Sequence, residues 1–587
     1  MRATIWPWFL FLLVAAAYSG GSEFDTTDAG PAARDPRNHR LGLRIPDRGY
    51  CDQPYIVVTG DGNWLCTLTT GTGREGDRGQ HVVSTISRDQ GRSWSPLVEI
   101  EPPDGPEASW VVPLVTPYGR VYAFYLYNGD DVRTLPGETG TIRSDTHGWY
   151  CYRFSDDHGH SWSEERYRLP MRVTAADRGN QWGGRVQTFW GIDKPTAVAG
   201  RALFAFTKLG RWFLEEGEGW LFYSDNLLAE RDPARLRWEL RPSGDHGIRN
   251  PDFGSVQEEH NLAPLDEHGR LYVVYRTTRG HPAHSYSDDW GKSWTRPETM
   301  TYTPGGRPIK NPRACPKLWK CENGQYLLWF HHHSGRDYRD RNPAWIAGGQ
   351  LRDGRLHWSQ PEILLYDPEP GTRMSYPDLI EQDGRYWVTE TQKTVARVHE
   401  IDPTLLEGLW NQGTDREVAQ SGLLLQSGPG DVPLTAPLDL QVSGGVTLDV
   451  WLTLEDLESE QVLVDTRDAA GRGLALITTG EQTVRLELSD GAYDFAWDAD
   501  AGILRPGERQ HVVAIVDAGP RIVSFLVDGQ FCDGGEQRQF GWGRYTQPLG
   551  ELAGQGTVRV APPVDSLRLY NRYLRTSEAV ANYHAGR

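Results

Sequence analysis

The sequence predicts an all-β chain, a six-bladed β-propeller followed by a β-sandwich jelly roll. The first observation is composition. The 587 residues include 65 Gly, 38 Pro, 23 Trp and 25 Tyr. That is too aromatic for a disordered chain and too rich in Gly and Trp for a helical bundle. The second is an eight-residue pattern, Ser-x-Asp-x-Gly-x-Ser-Trp, that occurs three times. The third is a looser repeat in which two apolar strands flank a turn ending in Gly.

The elements follow in chain order. Arg2 and the apolar stretch Ile5–Ala17, followed by small residues, read as an export signal over residues 1–20. The stretch is too short to span a bilayer and suits cleavage, which predicts a secreted or periplasmic protein with no membrane span after signal removal. Six cysteines, at 51, 66, 151, 315, 321 and 532, permit disulfides there without naming a framework. The net charge of −18 and only seven Lys leave no basic run to track a phosphate backbone, so nucleic acid is not an expected partner.

Residues 40–405 hold the repeats. The eight-residue pattern is Ser87-Arg-Asp89-Gln-Gly91-Arg-Ser93-Trp94, then Ser155 to Trp162 around Asp157 and Gly159, then Ser287 to Trp294 around Asp289 and Gly291. Its chemistry is that of a hairpin lock. The Asp accepts backbone N–H groups in a tight turn, Gly supplies a positive φ, Ser closes the loop and Trp plugs it onto the sheet. Degenerate locks are expected at Ser224-Asp225 and at Asp353-Gly354 with Trp358. The looser hairpin aligns on Gly62, Gly119, Gly200, Gly269, Gly324 and Gly384, each flanked by strands of alternating polarity. Six such units arranged radially protect their sheet edges by repetition. Residues 411–433 are polar and Gly-rich and read as a linker. Residues 434–587 return to alternating strands and predict a two-sheet sandwich.

The three locks are identified as Asp boxes, or BNR repeats, and with the six hairpins residues 40–405 resemble the sialidase (neuraminidase) superfamily. The closing segment Leu567 to Val580 resembles a laminin-G-like, concanavalin A-type domain, of the kind that accompanies secreted carbohydrate enzymes as a binding module. The first resemblance implies hydrolysis of a terminal sugar with retention, through a Tyr nucleophile paired with Glu, an Asp acid/base and arginines that clamp a substrate carboxylate. The physical logic is that guanidinium forks match a carboxylate, whereas a carboxylate nucleophile would be repelled by one on the anomeric carbon.

Carried over residue by residue, the resemblance assigns Tyr376, in Ser-Tyr-Pro-Asp-Leu, as nucleophile. It assigns Glu259 as its partner, with Glu258 adjacent, and Asp77 as acid/base, with Glu75 as the alternative in the same loop. Arg276 and Arg341 are the clamp, with Arg336 and Arg339 competing for the register of the latter. The first clamp arginine has no clear counterpart. Arg44-Ile45-Pro46 exists, but in the register of the repeat the position is filled by Asp52, which suits a hydroxyl, an amine or a cation. Lys194, Lys208, His331, His332 and Glu390 are expected to face the central funnel, the lysines and His331 as substrate-binding groups.

Other signals are set aside. Gly71-Thr-Gly73-Arg-Glu-Gly76 fits a dinucleotide fingerprint but has no following helix. His331-His332-His333 cannot all share one face of a strand. Neither a metal nor a cofactor is expected. The sequence therefore predicts a sialidase-like exo-glycosidase acting on a terminal, acidic sugar of a glycan or polysaccharide. A polysaccharide lyase using His331 or Tyr376, and a non-catalytic glycan-binding propeller, are the alternatives.

Overall fold

The computed structural model describes residues 34–212, 214–553 and 556–587. The expected signal over 1–20 lies outside them. Among the described residues no helix is long and apolar enough to cross a membrane.

From residue 43 to 401 the chain forms successive antiparallel meanders. The first comprises Tyr50–Val58, Trp64–Gly71, His81–Ser87 and Val98–Glu99. The second comprises Ala108–Val115, Val121–Tyr127, His147–Ser155 and Tyr167–Arg168. In the third, Gln187–Trp190 and Thr196–Val198 both pair with Arg201–Arg211, followed by Glu215–Ser224 and Glu239–Arg241. The fourth holds Gln257–Pro264, Leu271–Thr277, Ala283–Ser287 and Glu298–Thr299. The fifth holds Lys317–Lys320, Tyr326–Phe330 and Ala344–Arg352, with Arg355–Trp358 and Glu362–Leu365 both on the last. The sixth runs Ser375–Gln382, Arg385–Thr391 and Ala396–Ile401, and its outermost strand is the N-terminal Leu43–Ile45.

Contacts between neighbours close these meanders into a ring. Trp110 N donates to Thr69 Oγ1 at 2.9 Å, and Gln187 pairs with Gly148. His260 and Thr207 meet at 2.9 Å, and Leu318 N donates to Asn261 Oδ1 at 2.8 Å. Trp319 and Trp329 share an apolar cluster with Leu379 and Val388. Ile56 N donates to Asp378 Oδ2 at 2.8 Å, joining the sixth meander to the first.

The repeated glycines do what their spacing requires. Gly62, Gly119, Gly200, Gly269, Gly324 and Gly384 all have φ between 73° and 112°, the region that a side chain disfavours. The three locks are near-copies of one another. The second Ser donates its Oγ to Asp Oδ2 at 2.6 Å in each, and its N–H to Oδ1 at 2.8–2.9 Å. The Gly N–H donates to the first Ser Oγ at 2.8–2.9 Å. Each lock abuts the preceding meander: a Cβ on Gly91, Gly159 or Gly291 would lie 2.7, 2.4 or 2.7 Å from Val398, Leu65 or Leu221. Trp162 Nε1 likewise donates to Ser84 Oγ at 3.0 Å, so the plug fastens one meander to the one before it. In the degenerate lock at Ser224 the Asp place is taken by Asn226, whose Oδ1 accepts Arg237 N at 2.9 Å, rather than by Asp225.

The second unit is two antiparallel sheets on a shared apolar core. One sheet runs Leu423–Ser427, Val564–Tyr570, Gly445–Thr453, Arg509–Asp517, Ile522–Val527, Gln530–Phe531, with Gly543–Arg544 also on Ile522–Val527. The other runs Gly430–Leu434, Gly556–Val560, Val462–Asp465, Gly473–Thr479, Thr483–Ser489, Asp494–Asp498. Of these strands, Leu423–Ser427 falls inside the range 411–433 expected to be linker and Gly430–Leu434 overlaps its end. Leu423-Leu-Leu-Gln-Ser is apolar without alternating, and Gly430-Asp-Val-Pro-Leu carries Pro433, so neither shows a strand pattern, but each completes a sheet edge.

The strand Arg509–Asp517 is buried on both faces. Val512, Ala514 and Val516 point into the sandwich, whereas Val513 and Ile515 pack with Phe330, Trp345, Phe531 and Trp542 against the fifth meander. Polar ties frame that apolar contact. Lys310 Nζ donates to the carbonyls of Asp533 and Arg538 at 2.6 and 2.9 Å. Glu362 accepts the first N–H groups of the helix Thr576–Gly586 at 2.8–3.0 Å. All six cysteines are buried free thiols.

Candidate active site

Four inner strands carry the same local distortion. Register shifts fall between Asp52 and Tyr55, Ser109 and Val112, Glu258 and Asn261, and Ser375 and Asp378. At each, a residue with a side chain takes a left-handed φ: Gln53 50°, Trp110 61°, Glu259 58° and Tyr376 46°. Such bulges re-aim side chains and concentrate near functional sites. Here they turn Trp110, Glu259 and Tyr376 toward one another at one end of the ring.

Tyr376 is the centre. Its phenol donates to Glu259 Oε1 at 2.8 Å, its ring meets Trp110 edge-on at 6.4 Å, and Lys393 Nζ lies 4.4 Å from its centroid. Burial and the neighbouring Glu259 carboxylate push the phenol well above its usual pKa, while Arg276 and Arg341 pull it down. Arg276 bridges the paired carboxylates, 2.6 Å from Glu258 Oε2 and 2.6 Å from Glu259 Oε1, and lies over the Trp190 ring at 5.0 Å. Arg341 donates to Ser375 Oγ at 2.8 Å and to the Arg313 carbonyl at 3.0 Å. Arg313 lies 3.5 Å from Glu258. Arg336 and Arg339 are exposed on the preceding loop, whereas Arg341 is buried.

Across the ring of Tyr376 stands a second cluster. Asp52 is fully buried and accepts from Tyr50 Oη at 2.9 Å, Gln53 N at 3.0 Å and Lys393 Nζ. Burial raises its pKa against the opposing pull of Lys393. Lys393 is also 3.3 Å from Glu75 Oε1, to which Arg143 Nη2 donates at 2.7 Å. Burial works against the Glu75 charge, but Lys393 and Arg143 outweigh it and hold the pKa down at about 2.

The other expected residues sit elsewhere. Asp77 is exposed and its Oδ2 accepts Arg74 N at 2.7 Å within its own loop, so Glu75 is the loop carboxylate that reaches the cluster. Arg44 lies on the outermost strand, exposed beside Asp47. Lys194 donates to Asp378 Oδ2 at 2.7 Å and to the carbonyls of Ile56 and Leu379, lining a cavity of about 430 Å³ with Lys317 and Glu381. Lys208 is wholly buried against Asp177 at 2.6 Å, under the short helix Ala175–Gly179. His331 faces the Pro343 carbonyl at 3.2 Å and the edge of Trp329. His332 packs on Phe531 at the contact between the two units, and Glu390 lies beside His399 at 3.6 Å. Among the described residues no group of three or more His, Cys, Asp or Glu could hold a metal ion.

Lys393, Trp110, Trp190, Arg143 and Arg313 escape a reading of the sequence. Lys393 sits in a plain Thr-Gln-Lys-Thr turn, and only the left-handed φ of 72° shows that the backbone there is constrained.

A family model described as a BNR repeat-like domain matches residues 67–388. No curated protein matches the chain. Among solved structures, the chain is similar to the Trypanosoma rangeli sialidase in complex with 2,3-difluorosialic acid, at 13% identity over 92% of this chain and 94% of that one, with a TM-score of 0.44. It is also similar to a Hadza microbial sialidase, at 16% identity over 61% and 68% of the two chains, TM-score 0.43. A mutant of the NanB sialidase from Streptococcus pneumoniae is similar at 11% identity over 63% and 71%, TM-score 0.44. With more than half of its residues matched and with three Asp boxes of one geometry, the chain belongs to the BNR repeat-like domain family.

Proposed function

We propose that the chain is a retaining exo-glycosidase of the sialidase type, with Tyr376 as nucleophile. The observation that carries this reading is the 2.8 Å hydrogen bond from Tyr376 to Glu259, with Arg276 bridging Glu259 and Glu258 behind it. A buried phenol whose pKa is raised is a poor nucleophile unless its proton has somewhere to go. Glu259 is placed to take that proton as the phenolic oxygen attacks the anomeric carbon, and Arg276 holds both carboxylates in register. Arg341, whose described partners include no carboxylate, and Arg313 supply positive charge for an acidic group on the sugar.

The loop between Trp64–Gly71 and His81–Ser87 provides the acid that protonates the leaving oxygen. Asp77, an exposed carboxylate in that loop, is assigned that part, with Glu75, the loop carboxylate that reaches the Lys393 cluster, as the alternative. The meanders are read as the six blades of a propeller over about residues 40–405. The sandwich over about 434–587 is read as a laminin-G-like, glycan-holding module that raises the local substrate concentration, on a secreted or periplasmic protein.

The test is monosaccharide release from a panel of acidic glycans by wild type and by Tyr376→Phe, with mass spectrometry of the wild type after reaction with activated fluoro-sugars. A sugar adduct on Tyr376, and release that Tyr376→Phe abolishes, are the expected results. Release that survives in Tyr376→Phe would sink the mechanism.

A further inference from the structure

The Tyr376 site is divided by charge. On one side stand Arg276, Arg313 and Arg341 against Glu258 and Glu259. On the other, Asp52, Lys393, Glu75, Arg143 and Asp145 alternate in sign, each touching the next. The second group occupies the place where the sialidase resemblance asks for a clamp arginine. A lone Asp there would invite an amine or a cation, but Lys393 already fills that need from within the chain. Asp52 is fully buried and so acts through Lys393. Lys393, Arg143 and Glu75 are the members that solvent reaches, their side chains 23%, 23% and 27% exposed.

An ammonium held between two carboxylates offers N–H donors beside carboxylate acceptors. A hydroxyl both donates and accepts and can bond to each. A ligand carboxylate brought to the same place meets three carboxylates, Asp52, Glu75 and Asp145, for two cations, and both cations are already engaged.

We propose that Lys393 and Glu75, held in place by buried Asp52, are the specificity-determining edge of the Tyr376 site and receive neutral hydroxyl groups of a terminal sugar. An acidic group on that sugar is then seated only on the Arg313–Arg341 side. The inference rests on the glycosidase reading of the site and narrows it. Sugars with a carboxylate on the anomeric carbon are disfavoured, and those with the acidic group elsewhere on the ring, or with none, are accepted.

The experiment uses the full chain and three 4-methylumbelliferyl glycosides. The neuraminide carries a carboxylate on the anomeric carbon, the glucuronide carries one across the ring, and the galactoside has none. The expected kcat/KM for the neuraminide is about tenfold or more below the better of the other two. Glu75→Gln and Lys393→Met raise KM for the preferred glycoside about fivefold or more while kcat changes less, and Lys393→Arg restores most of the loss. Preference for the neuraminide overturns the proposal, as do variants that leave KM unmoved. Should wild type release nothing from any of the three, the hydrolase reading fails, and the edge is judged by thermal shift with the corresponding methyl glycosides. Stabilisation by the glucuronide or galactoside that Glu75→Gln removes upholds it. Stabilisation by the neuraminide alone, or by none, overturns it.

Discussion

Tyr376 donates its phenolic hydrogen to Glu259 across 2.8 Å although the two residues are 117 positions apart in the chain. Each sits at a bulge on an inner strand, each with a left-handed backbone. The cost of holding two residues in that conformation, of order 1–3 kcal/mol apiece, is borne by the surrounding sheets.

Tyr376→Phe removes the nucleophilic oxygen and little else. Glu259 Oε1 keeps Arg276 at 2.6 Å, so no charge is left bare. Stability is expected to change by about 1 kcal/mol, whereas turnover falls by about a thousandfold or more. Parallel urea unfolding and single-turnover assays separate the two effects. A large loss of stability would mean that the phenol is structural.

Arg276→Met has the opposite signature. It leaves Glu258 and Glu259, both buried, facing each other without the bridging cation. Removing one partner of a buried ion pair typically costs about 3–5 kcal/mol. Adding Glu258→Gln to Arg276→Met is expected to recover part of that loss, which urea titration of the single and double variants would show.

Those carboxylates also show how far the sequence could be read. The six turn glycines and three Asp boxes were legible because each is a local device whose residues are contiguous. Tyr376, Glu259, Arg276 and Arg341 are nominated by the family resemblance, and the structure brings the first three into contact. Lys393, Arg143 and Trp110 were not legible, because their roles arise where different meanders meet and their local sequence has no period. Lys208 and Lys194 bracket a hairpin, a position that predicts funnel residues. The structure sends one beneath a helix to Asp177 and the other across to Asp378. A strand-end position alone does not say which way a long side chain turns. The two strands at 423–427 and 430–434 were hidden because both are short edge strands without alternation, one a run of three leucines and the other interrupted by Pro433.

The Asp boxes hold one meander to the next, and a matched pair of glycines tests that. Gly119 and Gly159 both have φ of 92°. A Cβ on Gly119 would meet nothing within 4 Å, whereas one on Gly159 would lie 2.4 Å from Leu65 Cδ1 in the preceding meander. Gly119→Ala pays only the backbone strain, about 1 kcal/mol. Gly159→Ala adds overpacking and is expected to cost about 2 kcal/mol more. Equal losses on thermal unfolding would show that the box does not bear on its neighbour.

The contact between the two units makes the fold sensitive to acid through His332. Its ring lies 4.9 Å from Phe531 and 5.0 Å from Trp345, is 1% exposed, and neither ring nitrogen has a hydrogen-bond partner. Burial, with Arg307 and Lys310 nearby, depresses its pKa well below 6.5. The sign follows directly. Below pH 6.5 the unfolded chain protonates this ring and the folded chain does not, so unfolding takes up a proton. Stability therefore falls with falling pH by up to about 1.4 kcal/mol per unit, and above pH 6.5 the group contributes no pH dependence. His332→Phe keeps the ring and removes the titration. Relative to wild type, the variant is expected to gain about 2 kcal/mol between pH 7.5 and pH 5.0. Urea unfolding at the two pH values measures that difference, and parallel losses in the two proteins would show that His332 does not stay neutral in the folded state.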